Sequence, residues 1–408
     1  MKIRGVENIF WAGLFSIVLT GCIIEYVPND IDEINDILVV EGIITDYETV
    51  ITLSRSVILT QQTHRSSQYI DNATVYVERD DGMLFLAENA LNTGQYTVNN
   101  GALNPENKYR LKIEIMECDF SDNFSGCNLT TNIYQSDFLH PIITPQIDSL
   151  FYTKDGKMQP VMIHIDTRSN NRQVMFYNWS YREDWEYTAI WRHPPPAVCP
   201  NCFFTLSMNV IYCPSCSFEI ETLPYICWRS NVNNELLLGS NEKTSFGRYI
   251  KTLYEVPAGD LRLSRQYRIE VKQRAISKRA YDYFSNMKNN IQMTGSIFTP
   301  IPSEIRGNII CVTSPERPVI GYMEVSTTAN IIRYISHLDN LYEAPHNDCE
   351  MLSYGEMIAL IDSDSGRVRE DFAVYYTDSD GIPTYTLREC IDCTVLGGTT
   401  ESPDDWGI

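Results

Sequence analysis

Ala73-Thr74-Val75-Tyr76-Val77-Glu78 alternates apolar and polar side chains, and Asp80-Asp81-Gly82 follows it almost at once. A period of two puts Val75 and Val77 on one face of a strand and Thr74, Tyr76 and Glu78 on the other. Asp-Gly between two such runs predicts a tight hairpin, with Met83 to Leu86 as the returning strand. The pattern extends in both directions. Upstream, Ile37 to Gly42 reads as a buried strand closed by Gly, and Val50 to Ser54 as a second. Downstream, Gly94 to Val98 and Tyr109 to Ile115 read the same way. Short strands separated by turn signals predict an antiparallel β-sandwich over residues 37–140.

The pattern resumes after Pro141 and Pro145 with Ile147 to Tyr152, Met162 to Asp166, the aromatic run Val174 to Tyr181, Tyr249 to Tyr254, and Gln266 to Lys272. One helix interrupts it. Ser277 is placed to cap, and Ala280, Tyr281, Phe284 and Met287 follow helical spacing, with Gly295 beyond. Tyr281 and Phe284 are expected on its core face. Residues 346–408 read as strands and loops packing back on this region. The expectation is a mainly β chain of two sandwiches, immunoglobulin- or fibronectin-like, the second (141–408) carrying the one inserted helix.

The first 22 residues decide the compartment. Lys2 and Arg4 precede an apolar stretch from Ile9 to Leu19, which ends at Leu19-Thr20-Gly21-Cys22. That order of charge, short apolar run, small residues and Cys resembles a bacterial lipobox. It predicts a signal peptide over 1–21 and a mature chain that starts at an acylated Cys22, tethered to a membrane by acyl chains such as palmitate. Residues 22–36 are acidic and aperiodic and read as a tether. The 408-residue chain carries 32 Lys+Arg against 53 Asp+Glu, a net charge of −21. Such a balance argues against general nucleic-acid binding and against adsorption to anionic lipid through a basic patch.

Of twelve cysteines, eleven remain once Cys22 is acylated, so they cannot all pair within one chain. Cys199-Pro-Asn-Cys202 and Cys213-Pro-Ser-Cys216 sit in an insert near 187–225. Four thiolates from two such turns suit one structural zinc; in an oxidising compartment the same four suit two disulfides. Neither option leaves an open coordination position for catalysis. Cys118 and Cys127 flank a short loop that a disulfide would close. Cys390 and Cys393 are placed for a local bridge or for free thiols in a turn, and Cys227 and Cys311 are either buried thiols or partners.

No HExxH, GxSxG, GxGxxG or P-loop pattern occurs. His164 alternates within a strand and reads as a satisfied structural residue. Asp362 to Gly366 reads as a turn, since it lacks the ligand pattern of a calcium loop. Trp179, Tyr181 and Trp185 are the candidate ligand-binding residues. On a strand they share a face, which either stacks on a ligand or fills a sandwich core.

Several segments in order resemble the DUF4249 family of Bacteroidota outer-membrane lipoproteins. They are the lipobox at Cys22, Leu38 to Gly42, Thr52 to Ser56, Ile70 to Val75, Gly94-Gln95-Tyr96, Cys227-Trp228, Thr294 to Phe298, Arg306 to Cys311, Val319 to Tyr322, Cys390 to Cys393, Gly397 to Thr400, and Trp406. The resemblance implies a non-catalytic lipoprotein, accessory to or a ligand-binding partner of a TonB-dependent nutrient import system. It transfers no catalytic residues. A lipid-anchored hydrolase and a structural or adhesion lipoprotein are the alternatives.

Overall fold

The computed structural model describes residues 37–56, 68–119, 128–169, 175–192, 203–205, 210–212, 220–221, 223–244, 247–293, 306–342, 349–363, 368–377 and 382–407. The first body is built from β1 (Leu38–Gly42), β2 (Tyr47–Arg55), β3 (Gln68–Tyr69), β4 (Ala73–Arg79), β5 (Leu84–Ala90), β6 (Gln95–Gly101), β7 (Tyr109–Asp119) and β8 (Asn128–Ser136). The hairpin forms where the sequence places it. Gly82 takes φ +88°, and the Arg79 and Gly82 amides donate to the Met83 and Arg79 carbonyls. The first half of β5 pairs with β4 and its second half with β6, so this strand carries the chain from one layer to the other. Leu38, Val40, Ile51, Leu53, Tyr96 and Val98 of one layer then share a core with Val75, Val77, Leu111, Ile113, Ile115 and Tyr134 of the other. Each such side chain contributes roughly 1.5–3 kcal/mol on burial.

Two late strands complete this body. β19 (Ile309–Cys311) pairs antiparallel with β8, and β20 (Val319–Ile320) pairs parallel with β1. By position these residues were expected in the C-terminal body, yet Ile309, Cys311, Met323 and Val325 lie in the first core. Two resemblance motifs, Arg306 to Cys311 and Val319 to Tyr322, are this return. Gly321 has to be glycine here: its φ is +154°, and a Cβ would stand 2.5 Å from the Val40 carbonyl oxygen.

The second body has one layer of β9 (Ile147–Thr153), β10 (Val161–Arg168) and β17 (Arg248–Val256). The other layer contains β11 (Phe176–Thr188), β15 (Ile226–Val232), β16 (Leu237–Ser240), β18 (Gln266–Ile276) and β21 (Thr328–Ser336). β11 is long enough to pair β16 with its first half and β15 with its second. Ile163 and Ile165 of one layer meet Tyr177, Trp179, Tyr187, Ile269 and Val271 of the other. The 187–225 insert carries three short strands, β12 (Phe203–Thr205), β13 (Val210–Tyr212) and β14 (Ile220–Glu221).

The helix α1 (Lys278–Met293) begins at Ser277, whose hydroxyl accepts from the Ala280 amide at 3.1 Å. Its buried residues are Ala280 and Tyr283; the expected pair, Tyr281 and Phe284, packs beside them only partly buried. Tyr283 packs at a tilt against Tyr322 with ring centroids 5.3 Å apart. A second helix, α2 (Tyr354–Asp362), lies where only strands and loops were expected. It packs with the hairpin of β22 (Phe372–Thr377) and β23 (Pro383–Leu387) around Leu352, Met357, Phe372, Leu387, Cys390 and Ile391. Among the described residues, no helix is long and apolar enough to cross a membrane.

Buried tyrosines give this fold an alkaline limit. Burial pushes Tyr177 from the ordinary 10.0 to about 12, and does the same to Tyr181 with help from Glu183 and Glu235. The fold therefore holds the neutral phenol. That stabilisation is complete below pH 10 and is lost as pH rises from 10 towards 12, by about 1.4 kcal/mol per pH unit for each fully shifted tyrosine. Urea midpoints should fall over that window, and tyrosinate absorbance should rise in step with unfolding. Complete tyrosinate absorbance while the fold is still intact would contradict this.

Candidate functional site

Trp179, Tyr181 and Trp185 do come together on the inward row of β11, but as core. Trp179 is 1% exposed, stacks at 5.4 Å on Tyr177 and 6.1 Å from Tyr249, and donates its indole N–H to Gln273 Oε1 at 2.9 Å. At that exposure it offers no ring face to a ligand. Tyr181 stacks on Tyr254 at 4.2 Å, and Trp185 is buried with Arg229 5.5 Å from its ring centre. His164 is the satisfied residue expected, its two nitrogens 2.8 Å from the Thr153 hydroxyl and 3.1 Å from the Thr252 hydroxyl. Cys22, Cys199, Cys202, Cys213 and Cys216 lie outside the described residues, as does Cys127.

Four cysteines pair across long distances. Cys390 bonds to Cys349 and Cys393 to Cys227, each pair with Cα atoms 5.8 Å apart. The local Cys390–Cys393 bridge therefore does not form. One 3₁₀ turn ends at Cys390 and another begins at Cys393, and the two side chains leave towards different partners. Cys311 is a buried free thiol.

Besides one against the Gly397 to Asp404 stretch, two cavities are lined by charged side chains. One, of about 500 Å³, is bounded by Glu183, Trp185, Asn231, Asp260 and Arg262. Arg229, also on its lining, donates to the Leu396 carbonyl at 3.1 Å, and the other charges satisfy one another. Glu183 accepts from Arg262 at 2.9 Å, from Asn231 at 3.0 Å and from the Tyr267 hydroxyl. Burial pushes the Asp260 carboxyl up, but Arg262 outweighs it and leaves the pKa below the usual carboxylate value. These groups are committed to ion pairs.

The other is a cleft of about 650 Å³ between the two sandwiches. One wall is the loop from Gly42 to Glu48 with Val50; the other is the outer face of β18 and β21 with Phe284 of α1. The loop is built rather than loose. The Thr45 amide donates to the Thr49 hydroxyl at 2.9 Å, that hydroxyl donates to Asn100 Oδ1 at 2.8 Å, and Asn100 Nδ2 returns to the Thr45 carbonyl at 2.8 Å. The Ile44 amide donates to Glu324, and the Thr328 amide to Asp46 Oδ1 at 2.8 Å, tying the loop to the second sandwich. At its tip Tyr47 sits at φ +68°, a costly conformation for a tyrosine, with 67% of the residue exposed.

Arg274 faces this cleft from β18. Its Nε is buried without a hydrogen-bond partner, and its Nη1 reaches only the Ser180 hydroxyl, at 3.5 Å. Among the described residues, no carboxylate forms an ion pair with it. Burial lowers its pKa below arginine's usual value, and the charge of Asp46 opposes that shift. Composition could not single Arg274 out. In sequence it is a polar residue on the outward face of an alternating strand, and only the distant β1–β2 loop turns that face into a wall.

No curated protein matches the chain. A family model for a domain of unknown function, DUF4249, matches residues 24–332. That span covers both walls of the cleft and stops short of α2 and the β22–β23 hairpin, so the resemblance motifs from Cys390 to Trp406 fall beyond it. The chain belongs to the DUF4249 family.

Proposed function

We propose that this chain is a non-catalytic, lipid-anchored outer-membrane protein of a Bacteroidota-type cell that holds a ligand in the cleft between its sandwiches. In this reading it serves as an accessory of a TonB-dependent import system. The observation that carries it is the cleft itself, roughly the size of a small-molecule site, with one pre-formed wall and an arginine whose Nε is buried without a hydrogen-bond partner. The Leu19-Thr20-Gly21-Cys22 signal supports the anchor, and the acidic residues that follow support a tether.

The test is recovery of the C-terminally tagged chain from gently solubilised membranes. The expected eluate contains a chain beginning at acylated Cys22 together with a TonB-dependent receptor. Cys22→Ser should move the protein out of the membrane fraction and abolish that co-purification. An unacylated N-terminus in the cytoplasm would sink the reading. An acylated chain that emerges alone under conditions that preserve known receptor complexes would count against the transport role.

A further inference from the structure

From Arg274 and its surroundings we infer that the cleft takes an organic monocarboxylate on an apolar body, with the carboxylate paired to the Arg274 guanidinium. This rests on the cleft being the ligand seat. A buried guanidinium without an ion pair destabilises a fold, because lost hydration is not replaced. Arg262 in the neighbouring cavity meets two carboxylates; Arg274 meets a hydroxyl at the limit of hydrogen bonding. Its fork suits a carboxylate arriving from the cleft. Lys272, two residues along the same strand face, adds a second cation to the wall. Ile43, Val50 and Phe284 provide apolar surface beside them. Asp46 and Glu48 on the facing loop would repel a dianion more than a monoanion, which favours carboxylate over phosphate.

The full chain, solubilised from membranes, is titrated with benzoate, phenyl phosphate and benzyl alcohol and read by calorimetry and ligand-observed NMR. Benzoate should bind best. Arg274→Gln should weaken benzoate at least about tenfold, as expected for a lost charge-assisted hydrogen bond, and leave benzyl alcohol unchanged. Arg274→Gln should also raise the melting temperature, since an anion anchor is a liability to the empty fold; a purely structural arginine would lower it. Equal benzoate binding by Arg274→Gln and the parent, or phenyl phosphate binding tighter than benzoate, overturns the inference. Val50→Trp, which fills the cleft from an exposed position, separates the two readings. Benzyl alcohol binding that Val50→Trp blocks, with no preference for benzoate, keeps the ligand seat and removes only the carboxylate. No probe sensitive to Val50→Trp removes both.

Discussion

Replacing Cys227 and Cys393 together by alanine should lower stability by about 3–5 kcal/mol and detach the C-terminal unit before the sandwiches unfold. The bond joins residues 166 positions apart, β15 to a 3₁₀ turn near the C-terminus. Loop-closure entropy grows only slowly with length, yet a loop this long is among the costlier ones to leave open. What the bond holds is a unit with a small core of its own, built on α2 and one hairpin and closed internally by Cys349–Cys390. Its other ties to the second sandwich are hydrogen bonds and one aromatic contact. The Tyr187 hydroxyl donates to the Cys393 carbonyl at 2.9 Å, the Cys393 amide to Pro224, the Trp191 amide to Cys390 and Arg229 to the Leu396 carbonyl, Trp228 and Thr399 exchange backbone hydrogen bonds, and Trp191 packs on Tyr375. Changing both cysteines leaves no odd thiol to mispair. Limited proteolysis should then cut ahead of residue 349 under conditions in which the parent resists. The Cys349→Ala/Cys390→Ala pair should cost less, since its loop spans 41 positions, and should loosen the unit internally without releasing it. Identical melting and identical proteolysis of the Cys227/Cys393 variant would show that the packing of Tyr187 and Trp228 suffices.

Much of the first sandwich was legible because its core residues are apolar and alternate, as Val75 and Val77 do. β8 was not, and the reason lies in its inward row. Asn132, Tyr134 and Ser136 are all buried, and two of the three are polar. Ser136 accepts from the Leu111 amide and Asn132 donates to Glu117, so the burial is satisfied by hydrogen bonds that no periodicity reveals. The return of Ile309 to Ile320 into the first sheet was illegible for a different reason. Residues 309 and 136 pair across a separation that local pattern cannot bridge. α2, by contrast, was announced and missed. Ser353 and Glu356 form a reciprocal capping box, and that spacing is visible in the sequence. The aromatic row of β11 was read correctly as a shared face. Its assignment to ligand or core turned on whether β17 covered it, and Tyr249 and Tyr254 do. Arg274 belongs with the return strand: its meaning depends on a loop more than 200 residues earlier in the chain.

The same inward row holds the second large effect. Between Tyr181 and Trp185 it places Glu183, 1% exposed, in a core position. Glu183→Ala should destabilise the protein by about 3–5 kcal/mol, the range for breaking a buried pair at one end. Arg262 would lose one of its two carboxylates, and Asn231 and the Tyr267 hydroxyl would lose their acceptor. The loss spreads further, because the Tyr267 hydroxyl, already donating to Glu183, accepts from the Tyr254 hydroxyl. Burial raises both phenols well above their usual pKa, so neither can compensate by ionising near neutral pH. Glu183→Gln keeps an oxygen for one donor but turns an amide N–H₂ towards the others, and should fall between Glu183→Ala and the parent. The informative variant is Glu183→Leu/Arg262→Leu. Removing both charges ends their desolvation cost and leaves apolar surface against Trp185 and Leu261, so this double change should recover most of the loss. Urea midpoints of the four proteins decide it. A double variant no more stable than Glu183→Ala would mean that the network's tyrosine and asparagine hydrogen bonds, rather than the buried charge, set the cost.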